Sequence, residues 1–291
     1  MADAVDRDLA AAAPLADDAA PAPVPARPSG VPDKVLRIVV PLGMFCLAIL
    51  AWHLYVTINE VPHYILPSPV LVAQALWNDW GTLAPALFVT IKITFTALFL
   101  ALVGGVGLAI LLVQSRWIEL ALFPFAVILQ VTPIVAIAPL LLIYASDTQT
   151  ALLICAFLVA FFPILSNMVQ GLKSVDHNLI NLFELYGASR WQTLIHLKIP
   201  ASLPYFMAGL RIGGGLALIA AVVAEFAAGS AGAGSGLAFR LLESQYRLNI
   251  PRLFAALVLL TATGVAIFAL TSFISWLSLR RWHESAIRRE N

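Results

Sequence analysis

Residues 186–200 read YGASRWQTLIHLKIP. Arg190, Gln192, Thr193, His196 and Lys198 crowd into this stretch, in a chain that is 61% hydrophobic and only 11% charged. A soluble globular protein carries about 25% charged residues. Outward from this segment, runs free of Asp, Glu, Lys and Arg extend over 38–59, 93–115, 120–146, 148–172 and 253–279. A bilayer core is crossed by about 20 apolar residues in a helix, and each run is long enough. A further span over 205–228 is interrupted by Arg211 and Glu225. The pattern predicts an all-α, polytopic membrane protein with six transmembrane helices, and it makes 186–200 a loop between two of them.

Residues 1–33 are a different material, rich in Ala and Asp and broken by Pro14, Pro21, Pro23, Pro25, Pro28 and Pro32. Such a segment buries too little to offset its ordering entropy and reads as a disordered tail. Its acidic start (Asp3, Asp6, Asp8) is unlike a signal peptide, so the first span reads as a retained helix. A net charge of +1 gives no reason to expect nucleic acid. Cys46 and Cys155 both fall within spans and read as small packing residues rather than a disulfide or metal pair.

Cytoplasmic loops are enriched in Lys and Arg. With the amino terminus inside, the inner segments hold Lys34, Arg37, Arg116, Lys173, Arg190, Lys198, Arg211, Arg280, Arg281, Arg288 and Arg289, against Lys92, Arg240, Arg247 and Arg252 outside. Both termini, including the tail 281–291, and the segment 186–200 are therefore expected in the cytoplasm.

In the first outer loop, Pro67, Ser68 and Pro69 precede apolar residues at helical spacing, which predicts an interfacial helix with Trp77 and Trp80 at headgroup level. Lys92 stands where the second span is expected to begin, placed to snorkel or to meet a solute. Glu225 is the carboxylate inside a span and a candidate for a pathway or packing role. The outer loop 229–251 opens on a glycine-rich run without the ending of a phosphate loop. Beyond it, Arg240, Glu243 and Arg247 have the spacing of ion pairs on a short helix over 237–248. Gly104, Gly105 and Gly107 in the second span, and Gly209, Gly213, Gly214 and Gly215 in the fifth, favour close helix approach.

The loop itself carries helix punctuation. A helix continuing from the fourth span through LINLFELY would end at Gly187, a residue suited to a left-handed C′ position. Ser189 and Gln192 have the spacing of a capping box. Pro200 biases Ile199 away from helix, which predicts an isolated helix over 190–198. Its Trp191, Leu194 and Ile195 would form an apolar side, and its Arg190, Gln192, Thr193, His196 and Lys198 a polar one. A helix so short needs a surface to dock on.

Residues 171–211, GLKSVDHNLINLFELYGASRWQTLIHLKIPASLPYFMAGLR, resemble the signature loop of ABC importer permeases: Glu-Ala-Ala, three residues, Gly, nine residues, Ile, one residue, Leu-Pro. Gly187 stands at the Gly, Leu197 at the Ile and Ile199-Pro200 at the Leu-Pro, while Asn181 occupies the acidic position and Glu184 follows one turn on. ILPSP, TPIVAIAPLLLIY and VVAEF elsewhere are similar to the branch serving nitrate, sulfonate and taurine uptake.

The resemblance implies a type I importer permease fold over 34–280, with 171–204 as coupling loop. Its ATPase contacts would be Glu184, Gly187, Ala188, Ser189, Arg190, Trp191, Leu194, Leu197, Ile199 and Pro200, and Lys92 and Glu225 would be the candidate pathway residues. It implies a second permease copy, two ATPase subunits and a periplasmic binding protein as partners in a bacterial inner membrane. It also implies no cofactor and no ATP hydrolysis by this chain. The expected solute is a small anion or a related small organic compound. A secondary transporter independent of ATPase subunits is the alternative, distinguished by dependence of uptake on an ion gradient.

Overall fold

A computed structural model describes residues 33–229 and 234–280. The expected tails 1–33 (apart from Asp33) and 281–291 lie outside the described residues. The chain divides into two units, 1–51 and 52–291. The described part of the first belongs to helix α1 (Asp33–Ile58), where Val39, Phe45, Leu47 and Cys46 are all exposed, so Cys46 is not the packing residue expected. The second unit holds the end of α1 and ten further helices. These are α2 (Pro69–Asn78), α3 (Trp80–Gln114), α4 (Arg116–Val131), α5 (Ile134–Tyr144), α6 (Thr148–Lys173), α7 (His177–Leu185), α8 (Arg190–Thr193), α9 (Ile199–Ala228), α10 (Leu237–Tyr246) and α11 (Ile250–Leu279).

Among the described residues, five stretches are long and apolar enough to cross a membrane: Ile38–Ile58, Trp80–Gln114, Thr148–Lys173, Arg190–Ala228 and Ile250–Leu279. The sixth expected span is broken, with α4 and α5 meeting at a 99° bend. Pro133 has no N–H and pushes the preceding residue out of the helical region, and Thr132 is accordingly extended (ψ 122°). The Ile128 carbonyl accepts from both the Thr132 hydroxyl at 2.6 Å and the Thr132 N–H at 3.1 Å, which closes the last turn of α4. The second span starts earlier than expected, at Trp80, so Lys92 lies within α3 rather than at its start. Helix α2 forms where the proline signals placed it, with Ser68 accepting from the Leu71 N–H at 3.4 Å and with Trp77 and Trp80 exposed.

Helices α3, α6 and α9 make the centre of the second unit. In lipid there is little hydrophobic gain from helix association, so close approach and dispersion must hold helices together. The α6–α9 seam shows how close the approach is. A Cβ on Gly171 would lie 2.8 Å from the Ser202 Cβ, and one on Gly209 would lie 2.9 Å from the Asn167 Cβ. Gly213 and Gly105 each bring a backbone to within 3.1 Å, on the same measure, of the Ile164 side chain, from α9 and α3. Buried Ala97, Ala101, Ala156, Ala160, Ala217 and Ala221 continue the small-residue packing, and Cys155 is buried among them.

Gly209→Val would overpack this seam at a cost of about 1–3 kcal/mol. Thermal unfolding in detergent is expected at a clearly lower temperature than for the parent chain. Gly215→Val, where a Cβ meets nothing within 4 Å, should unfold like the parent.

Candidate functional site

The loop 171–204 is built of locally determined joints. Helix α6 does not run on through LINLFELY as expected. It stops at Lys173, and Asp176 starts a separate helix, its carboxylate accepting from the Asn178 N–H at 2.9 Å. Lys173 is also ion-paired with Glu119, which ties the end of α6 to α4. At the end of α7, Gly187 is left-handed (φ +69°). The Ala188 N–H donates to the Phe183 carbonyl and the Gly187 N–H to the Glu184 carbonyl, both at 2.9 Å. These are the two bonds of a Schellman motif. Ser189 and Gln192 form the expected capping box, the Gln192 N–H reaching Ser189 Oγ at 3.3 Å and the Ser189 N–H reaching Gln192 Oε1 at 2.7 Å.

Pro200 does not end the next helix. Helix α8 widens into a π turn over Leu194–Lys198 and runs directly into α9. The Ile199 N–H bonds the Leu194 carbonyl, five residues back. A proline cannot donate, and its ring would crowd the carbonyl four residues earlier in a regular helix; the wider turn relieves that crowding. The faces also differ from expectation. Thr193 and Leu194 are buried, whereas Trp191 and Ile195 are exposed, as are Leu185 and Tyr186 at 84% and 85%. Thr193 can turn inward because its hydroxyl donates to the Ser189 carbonyl at 3.2 Å.

The opposite end of α9 holds Glu225, which is 3% exposed. Its Oε2 accepts from the Ala238 N–H at 2.8 Å, and Thr90 Oγ1 on α3 accepts from the Leu237 N–H at 2.9 Å. Two side chains thus cap α10, satisfying N–H groups that a helix start leaves open. Gly236 is required there, since a Cβ would fall on the Glu225 carboxylate. The expected short helix is α10, and Glu243 pairs with both Arg240 and Arg247 at 2.9 Å and with Arg252 at 3.7 Å. The hydrogen bond from Arg240, helped by the charges of all three arginines, holds the Glu243 carboxyl below its usual range.

Lys92 is exposed and lines a cavity of about 350 Å³ with Asp147, Gln149 and Thr150. Asp147 caps α6, and the Thr150 hydroxyl (2.7 Å) and N–H (2.9 Å) hold its carboxyl below the usual range. A second cavity, of about 140 Å³, lies at the α4–α5 break and includes Gln130 and Thr132. Glu225 does not line the Lys92 cavity. Thr90, Asp147 and Gly171 carry no signal in the sequence, and Arg252 reads there only as an outer charge. Their roles depend on contacts with other helices or on a cap geometry, although Thr132-Pro133 carries a readable break signal.

This arrangement is a bundle of candidate membrane-crossing helices with an ordered loop before α9. Residues 101–283 match the family described as "Binding-protein-dependent transport system inner membrane component", and the chain belongs to that family. It is 34% identical over 243 residues to the "Riboflavin transport system permease protein" of Chloroflexus aurantiacus, covering 82% of this chain and 88% of that one. It is 30% identical to the "Formylaminopyrimidine transport permease protein" of Halalkalibacterium halodurans, covering 79% and 90%. To the "Taurine transport system permease protein" of Escherichia coli it is 26% identical, covering 84% and 87%. The chain is therefore a multi-pass permease of the binding-protein-dependent transport class.

Glu225→Ala would leave the buried Ala238 N–H without its acceptor, a loss of about 1–3 kcal/mol. Amide exchange at the start of α10 is expected to accelerate in this variant. Glu225→Gln, which keeps an acceptor oxygen, should retain most of the protection.

Proposed function

We propose that this chain is the transmembrane subunit of an ATP-driven importer, working as a pair of copies with two cytoplasmic ATPase subunits and an extracytoplasmic binding protein. Both termini and the loop 171–204 face the cytoplasm of a bacterial inner membrane. The observation that carries this reading is the exposure of Leu185, Tyr186, Trp191 and Ile195 on a loop whose joints at Gly187 and Ser189 are hydrogen-bonded. Rigid aromatic anchors of this kind are typical of the centres of protein interfaces. Together with Glu184, Gly187 to Arg190, Leu197, Ile199 and Pro200, these residues form the surface that docks into an ATPase cleft.

ATP-driven closure of the ATPases draws the two loops together, and because α8 runs into α9, the movement passes to α9 and to α10 at its far end. Lys92 lies at the outer mouth, where its cavity would meet a solute released by the binding protein. Glu225 serves the pathway by holding α10 in place. The solute is a small organic compound. The higher identity to the riboflavin and formylaminopyrimidine permeases than to the taurine permease supports a heteroaromatic compound over a small anion.

At Gly187 a Cβ meets nothing within 4 Å, so backbone conformation alone decides which residues fit. A β-branched residue is a poor fit to a left-handed φ, whereas Asn tolerates it. When the chain is co-expressed with its ATPase, Gly187→Val is expected to lose most of the co-purified ATPase, and Gly187→Asn to keep it. ATPase recovery equal in the parent and the Val variant would defeat the docking role of the loop.

A further inference from the structure

A cavity of about 530 Å³ lies on the inward flank of the loop, between it and the junction of α3 with α4. Its lining includes Arg116, Arg190 and Lys198, the carboxylate of Glu184, and the polar side chains Gln114 and Ser115. None of these three cations forms an ion pair among the described residues. The nearest other carboxylate on α4, Glu119, is already paired with Lys173. One unpaired carboxylate against three unpaired cations leaves a surplus of positive charge in a recess large enough for a molecular anion. Arg116 and Arg190 are exposed and Lys198 is half-buried, so this surplus charge is accessible to an incoming anion.

The same recess borders lipid-facing surface. Trp117, next to Arg116, is 83% exposed, and Leu120 and Phe125 continue the apolar face of α4. An exposed tryptophan at the end of a spanning region marks headgroup level, and basic recesses between helices at the cytoplasmic side suit anionic lipid headgroups. We propose that this cavity binds a phosphate oxyanion, carried on the headgroup of an anionic phospholipid of the inner leaflet, whose acyl chains lie along α4. The bound lipid fixes the loop against the α3–α4 junction. The proposal rests on the cytoplasmic placement of the loop given above. Its lining shares Glu184, Ala188 and Arg190 with the proposed docking surface, whereas Trp191 and Ile195 lie outside it.

The test uses the complex of chain and ATPase, reconstituted in nanodiscs of phosphatidylcholine doped with phosphatidylglycerol, re-extracted, and examined by native mass spectrometry. The parent is expected to retain phosphatidylglycerol in preference to phosphatidylcholine. Arg116→Gln and Lys198→Gln should each lower that retention about fivefold, the effect of one cation near an anionic surface. Arg247→Gln, at the far end of the second unit's helix α10, should leave it unchanged. Retention equal in the parent and both cavity variants would overturn the proposal. Displacement of the lipid by inorganic phosphate alone, with no phospholipid retained after its removal, would assign the cavity to a free anion and overturn the lipid source. Co-purification of the ATPase is read in the same spectra. Its absence from the parent would count against the importer reading and leave the lipid result standing.

Discussion

Everything in the second unit depends on how closely the backbones of α6 and α9 approach. These two helices bracket the loop 171–204, so the seam between them fixes both ends of it. Gly171 against Ser202 sits at the loop end of the seam, and Gly209 against Asn167 and Gly213 against Ile164 continue it toward the membrane centre. Within a bilayer such contacts replace the hydrophobic effect as the source of helix association. A side chain at any of these glycines would spread the helices and release the loop. The α4–α5 pair, by contrast, is bent and has only Ala126 and Ala138 buried, which makes it the less constrained part of the bundle.

From this seam a continuous path of structure runs along α9. At one end the π turn carries the helix past Pro200 without a break, so that the exposed residues Trp191 and Ile195 belong to the same rod as the spanning segment. At the other end Glu225 holds the start of α10, with Thr90 doing the same from α3. One continuous helical stretch thus joins the loop to the start of α10. The glycine at 187 and the cap at 189 set the angle between α7 and this rod, and their backbone bonds leave little freedom there. In the proposed importer, this is how the ATPase stroke would reach the solute side.

Much of this was legible in the sequence because it is local. Charge-free runs gave the spans, Gly187 gave the left-handed joint, and Ser189 with Gln192 gave the capping box. Arg240, Glu243 and Arg247 were legible as ion pairs for the same reason. The errors fall where local rules compete. Pro200 reads as a stop, but a π turn can absorb a proline that a regular helix cannot. The expected faces of 190–198 grouped Leu194 with Trp191 and Ile195 and put Thr193 on the polar side, whereas the shifted register of the π turn and the Thr193–Ser189 bond turn Thr193 inward with Leu194. Thr90 as a cap for α10, and Arg252 as a third partner of Glu243, depend on contacts between separate helices that no periodicity encodes. Family resemblance supplies the proposed partnership with an ATPase, where the residues alone give only a helix in need of a surface.

The central claim is that α8, the π turn and α9 act as one rod between ATPase and pathway. It is tested most directly by inserting two glycines between Lys198 and Ile199 and measuring ATP hydrolysis and solute uptake in proteoliposomes holding the ATPase and the binding protein. A rod mechanism requires that the complex still assembles and hydrolyses ATP while uptake is lost. Uptake at the parent rate, with hydrolysis unchanged, would show that the stroke reaches the pathway by another route.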